Sequence, residues 1–187
     1  MKRIITALVF ALVVAPLSYA KEVAGVKIED SISAGGTDLQ LNGAGVRTKW
    51  FMDIYIGALY LPASSSDQKA IINADEPQAI KLHMVSGLIT SEKMVKATTE
   101  GFNNATGGNV APIQDDVDAF MDVFKSKEIK ENDDFDLIYI PGTGVEIYKN
   151  GEKQDTLGDL AFKKAMFGIW LSDKPAQEEL KESMLGK

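Results

Sequence analysis

Arg47 is the side chain whose type and setting most clearly call for chemistry. It stands in LNGAGVRTKWFMDIYIGALYLP, residues 41–62, between a glycine-rich stretch and the most strand-like run of the chain. A guanidinium stays charged and offers a planar fork of N–H donors, which suits two parallel bonds to a carboxylate. Gly43 and Gly45 are expected to let the backbone turn sharply ahead of it. The side chain can then follow the face of the next strand inward and hold an anion.

Other reactive types have plainer readings. His83 is the one histidine, on the polar side of a strand, with no cysteine in the chain and no Gly-x-Ser-x-Gly elbow. The acid run ENDDFD, Glu131 to Asp136, lacks the ligand order, central glycine and closing glutamate of a calcium loop and reads as a solvated face. Gly142-Thr143-Gly144 falls in a hairpin turn and opens no helix, which speaks against a phosphate cradle. No metal and no cofactor is implied.

The elements that must position Arg47 are legible from periodicity. Strands are expected at Val23–Ile28, Thr37–Leu41 and Asp53–Leu61, the last apolar on both faces and therefore central. A short helix is expected after Ser66. Ala79–Val85 then alternates, with Ile80, Leu82 and Met84 on one side and Lys81 and His83 on the other. Ser91 can cap a helix with Met94, Thr98, Gly101 and Phe102 on one face. Pro112 suits the first turn of a second helix carrying Ile113, Val117, Phe120, Met121 and Phe124, with loop composition between the two. That helix's polar face is acidic, the wrong sign for an anionic lipid surface, so its apolar stripe is expected to be core. A meander follows from Phe135, with a turn at Asn150-Gly151, and two helices, Asp159–Leu171 and Ala176–Leu185, close the chain. Phe162, Phe167 and Trp170 read as core, although one of them could line a cavity. Strands, helices, strands, helices without a βα repeat predict an α+β domain, an antiparallel sheet covered by helices.

The first twenty residues, MKRIITALVFALVVAPLSYA, have the layout of a cleaved secretory signal: two cations, an apolar run from Ile4 to Val14, then Ser18 and Ala20. The run is too short for a spanning helix, which needs ~20 apolar residues. The expected mature chain is a single domain, 21–187, that is secreted, to the periplasm on this reading. Without cysteine a lipid-anchored start is excluded, and packing must replace disulfides. Cleavage leaves 18 Lys and Arg against 27 acids, a net charge of −9, which makes nucleic acid an unsuitable partner. No stable membrane insertion is expected after cleavage.

The stretch Leu41-Asn42-Gly43-Ala44-Gly45-Val46-Arg47 resembles the Leu-Gly-Gly-Ala-Gly-x-Arg segment of chalcone isomerases, and Ile56-Gly57-Ala58-Leu59-Tyr60-Leu61 resembles the strand after it. RTKWFMDIYIGALYLP, TSEKM followed by GF, and AMFGIWLSDKPAQEELK are similar to the exported bacterial chalcone-isomerase-like branch. The resemblance implies a chalcone isomerase-like fold with a ligand cleft between sheet and helices. Of the plant enzymes' site it keeps only the arginine. The strand threonine falls on Tyr55, the helix tyrosine on Met94, the asparagine on Gly101, and the late hydroxyl near Ala165 or Ile169. Chalcone cyclisation is accordingly not expected.

The same fold includes plant fatty-acid-binding proteins that hold the ligand carboxylate with an arginine and a tyrosine. Arg47 and Tyr55 resemble that pair, with Met94 and an opening at Gly101 suiting an alkyl chain. Gly101 also has a plain reading as a helix stop. The leading expectation is a non-catalytic protein binding a small amphipathic anion such as a fatty acid. Two alternatives stand beside it: an isomerase or lyase using Arg47 as oxyanion donor and Tyr55 as acid, and an interaction module with a vestigial, filled cleft. The first two require an open cavity with Arg47 at its base.

Overall fold

Alternating apolar residues with β-branched and aromatic side chains build most of the strands into one sheet. The computed structural model describes Lys21–Lys187, so the expected signal peptide lies outside the described residues. Seven strands pair in the order β3-β4-β5-β6-β7-β8-β9, every pair antiparallel: β3 Ser31–Ala34, β4 Thr37–Lys49, β5 Met52–Leu61, β6 Gln78–Met84, β7 Asp134–Ile140, β8 Gly144–Lys149 and β9 Glu152–Leu157. A separate hairpin, β1 Lys21–Val23 and β2 Val26–Ile28, precedes them. It replaces the single strand expected over Val23–Ile28, because Ala24 and Gly25 both take positive φ and reverse the chain. The helices are α1 Gln68–Asn73, α2 Ser91–Ala105, α3 Gln114–Ser126, α4 Leu160–Leu171 and α5 Glu178–Met184. The α+β architecture read from the sequence is the one found.

Two cores lie on opposite faces of the sheet. The larger packs Leu59, Ile80, Leu82, Phe135 and Ile147 against Phe102, Phe120, Phe162 and Trp170 of the helices. The smaller places Ile28, Leu39, Ala44, Ile56, Ala58 and Tyr60 on the other side. β5 lies between the two, which explains why it is apolar on both faces. Helix α2 is capped by Thr90, whose Oγ1 accepts from the Lys93 amide at 3.3 Å. It buries Met94, Thr98, Gly101 and Phe102, the face expected.

The glycines before Arg47 are not a turn. Gly43, Ala44 and Gly45 pair in register with Leu59, Ala58 and Gly57 inside β4 and β5. A Cβ on Gly43 would collide with the Ser183 and Met184 carbonyls, and one on Gly45 would come within 2.5 Å of the Ser183 Cβ. With Gly57, which faces Leu180, they form a bare stripe on which α5 lies against the sheet. The side-chain period of two then places Arg47 on the same face as Gly43 and Gly45, where the stripe ends.

The turn between β4 and β5 is Trp50-Phe51, flanked by the pair Lys49 and Met52. Both residues have positive φ, 54° and 64°, as a two-residue hairpin turn with a right-handed twist requires. Asn150-Gly151 gives the β8–β9 turn positive φ as well, at 52° and 78°, with residues that adopt it readily. At Trp50 and Phe51 the same backbone costs of order 1–3 kcal/mol per residue.

Candidate functional site

Arg47 pairs directly across the sheet with Tyr55. The next pair is Thr48 with Asp53, so Ile54 is an extra residue on β5 and the strands bulge there. The bulge breaks the alternation, and Ile54 and Tyr55 both turn into the helix-side core. Arg47 Nη1 donates to Tyr55 Oη at 3.3 Å, and the guanidinium carbon stands 5.6 Å from the centre of the tyrosine ring. Trp170 Nε1, from α4, donates to the same Oη at 2.9 Å. Tyr55 therefore accepts twice and is almost wholly buried, at 1% exposure. Beyond Arg47, Gln177 accepts from the Thr48 amide at 2.9 Å and donates to the Thr48 hydroxyl at 3.1 Å, tying the start of α5 to β4.

Arg47 is half-buried and lines a pocket of about 400 Å³ between the β4–β5 hairpin and α2. Its apolar wall is Met52, Ile54, Ile89 and Ala97, with Trp50 and Leu88 at the mouth. Lys49, Lys93 and Lys96 stand around it with Glu100 as the single acid. Four cations against one carboxylate, in a chain of net charge −7, make this a locally positive cavity. Arg47, Lys49, Lys93 and Lys96 form no ion pair with a carboxylate among the described residues. The volume falls within the ~300–1,000 Å³ range of small-molecule sites.

The other expected site residues stand differently. Tyr55 lies behind Arg47 and is not in the pocket wall. Met94 is core, and Gly101 opens no space: Ile169 of α4 fills it, and a Cβ there would lie 2.7 Å from the Ile169 Cγ2. Gly101 is also mid-helix and stops nothing. The cleft between sheet and helices is therefore closed at Met94 and Gly101, and the open volume lies at the rim of the sheet. Reading by sequence missed Trp170 as Tyr55's donor and missed Lys93 and Lys96. The one available signal was their three-residue spacing in the helix that faces Arg47.

Several other polar groups are paired on other faces. His83 Nδ1 lies 2.8 Å from Asp134. Asp133 is buried in an ion pair with Lys149 at 2.9 Å, and hydrogen bonds from Asn150 and the Lys130 amide help hold its carboxyl below the usual range despite burial. This corrects the reading of ENDDFD as a solvated face throughout. Lys163 is fully buried and donates to the Ile71, Ile72 and Ala74 carbonyls at 2.8, 3.1 and 2.9 Å, and burial pushes its pKa down to about 8.

A curled antiparallel sheet under helices, with an arginine at the end of a glycine stripe, defines the class. The chain belongs to the chalcone isomerase-like family, whose profile matches residues 20–186. Among solved structures it is similar to the Arabidopsis thaliana fatty-acid binding protein AtFAP1, with a TM-score of 0.68 and 16% identity over 86% of this chain and 92% of that one. At that identity the likeness is one of fold. No curated protein sequence matches the chain.

Proposed function

We propose that the protein binds a small amphipathic anion, a fatty acid or similar long-chain carboxylate, without transforming it, and that it does so as an exported protein after residues 1–20 are removed. The observation that carries this reading is the pocket of about 400 Å³ that sets Arg47, free of any carboxylate, beside an apolar wall. The carboxylate would bond to the Arg47 guanidinium, with Lys93 and Lys96 adding screened attraction, while the alkyl chain lies along Ile54, Ile89 and Ala97. Tyr55 acts through Arg47: its hydroxyl and ring hold the guanidinium toward the cavity, and Trp170 holds the hydroxyl. The fold shared with a fatty-acid binding protein supports the ligand class. The cleft between sheet and helices is filled at Met94 and Gly101, as a vestigial cleft would be, but the open pocket at the rim with Arg47 in its wall favours the binding reading.

Titration with a long-chain acid, its methyl ester and its alcohol tests this. A hydrogen bond to a charged group is worth ~1.5–3 kcal/mol, so Arg47→Ala should weaken the acid roughly ten- to a hundredfold. The ester and alcohol should be unaffected, since an alkyl chain gives ~0.8 kcal/mol per buried CH₂ whatever stands at 47. Tyr55→Phe keeps the ring under the guanidinium and should cost less, ~1 kcal/mol. Equal loss for acid and ester, or loss for neither, would make Arg47 structural and end the assignment.

A further inference from the structure

The pocket mouth has a second property that ligand binding does not require. Among the described residues the large apolar side chains left exposed are Trp50, Phe51, Met52 and Leu88, and all four lie at this one end of the molecule. Trp50 is 79% exposed and Phe51 fully so. They occupy both central positions of a two-residue turn whose positive φ favours Asn-Gly, the pair that the β8–β9 turn uses. Two bulky aromatics held in strained backbone and pointed into water serve no packing role in the chain. Such strain persists where the exposed side chains have a use.

The charge around the tip identifies that use. Lys49, Lys93 and Lys96 are exposed beside it, and Lys49 and Lys96 form no ion pair among the described residues. On the hairpin tip and α2 the acids are Asp53, Glu92 and Glu100 against Arg47, Lys49, Lys93 and Lys96, so the cations prevail at this end although the chain as a whole is acidic. An apolar tip with an indole, ringed by lysines, is the composition that settles at the headgroup level of an anionic bilayer.

We propose that the Trp50-Phe51 hairpin tip docks on the anionic surface of a lipid bilayer, so that the Arg47 pocket opens at the membrane and exchanges its ligand there. Docking stands on the tip itself; only the exchange rests on the ligand reading above. Trp50 and Phe51 reach the interfacial region while the lysines meet lipid phosphates, and docking needs no segment to cross the membrane. Among the described residues no helix is long and apolar enough to do so.

The experiment uses full-length protein, so that any lipid affinity of residues 1–20 is common to all versions. Vesicles of phosphatidylethanolamine and phosphatidylglycerol are compared with vesicles of phosphatidylcholine by co-sedimentation and tryptophan emission. On the anionic vesicles Trp50 emission should shift to the blue and be quenched by brominated lipid, and high salt should reverse this. Phe51 lies outside the pocket wall, and Phe51→Gly relieves its backbone. This variant should lose at least about tenfold in vesicle affinity, whereas Phe51→Trp should keep it. Titration of both proteins with a long-chain carboxylate without vesicles keeps the two readings apart: if neither binds it, the pocket reading fails and docking is still measured. Docking is overturned if Phe51→Gly sediments with vesicles as the wild type does. It is overturned equally if Trp50 emission does not respond to anionic lipid, or if the tip instead buries itself in a second copy of the chain.

Discussion

At the scale of single residues, Arg47 and Lys163 set a cation against the fold in contrasting ways. Arg47 keeps its fork open to a cavity, with a neutral phenol and an aromatic face beneath it. Lys163 is closed in by three carbonyls at the end of α1 and by the rings of Phe167 and Tyr139, at 4.8 and 5.6 Å. It satisfies carbonyls at a helix end that is buried at Ile71 and half-buried at Ile72 and Ala74. Lys163→Met should destabilise the protein by about 2–4 kcal/mol in urea unfolding, since buried carbonyls lose their donor. The pH dependence has a definite sign. The unfolded chain keeps this proton up to its ordinary 10.5, whereas the native one releases it above about 8, so the native state binds fewer protons between those values. Lys163 therefore makes wild-type stability rise with pH over that window, by about 2 kcal/mol at pH 10. The difference in unfolding free energy between wild type and Lys163→Met should widen by that amount from pH 7.5 to 10; a constant difference would show that the native lysine keeps its proton across the window as the unfolded one does.

At the scale of elements, α5 and the glycine stripe of β4 act as one part. Asn42, displaced from the ladder by a bulge next to Gly43, donates to the Met184 and Ser65 carbonyls, both at 2.9 Å, and locks the end of α5 to the sheet. Gln177 pins the start of the helix at Thr48. The backbone beside Arg47 is thus held from both ends of α5, which fixes where the guanidinium emerges. Gly43→Ala should cost ~3 kcal/mol, because the added methyl meets backbone atoms that cannot rotate away. Gly87→Ala, with open space around it, is the control and should be nearly neutral. Thermal melts should separate the two, with amide exchange in Leu180–Met184 rising in Gly43→Ala. Unchanged protection there would mean that α5 does not depend on the stripe.

At the scale of the whole molecule, an acidic chain concentrates cations and exposed apolar groups at one end. The tip and the pocket share a face. Export is the matching expectation for the chain's start. The exported protein should give an intact mass beginning at Lys21. A mass that retains Met1 to Ala20 would overturn this expectation.

Periodicity and turn chemistry determined the central strands, the helices, their buried faces and the meander with its Asn150-Gly151 turn, because those patterns act between near neighbours in the chain, but not β3 or the β1–β2 hairpin. The resemblance carried by Leu41 to Arg47 and Ile56 to Leu61 determined the family, and Arg47 stood out from its charge and setting alone. Only the tertiary structure decided that the glycines before it are strand and a seat for α5, since that requires knowing what lies across the sheet. The same holds for Gly101, whose space is taken by Ile169 from 68 positions further along. It holds too for the pocket, assembled from β4, β5 and α2 by a bulge at Ile54 that no local pattern announces. Local preferences are written in adjacent residues, whereas cavities are what remains when distant ones pack.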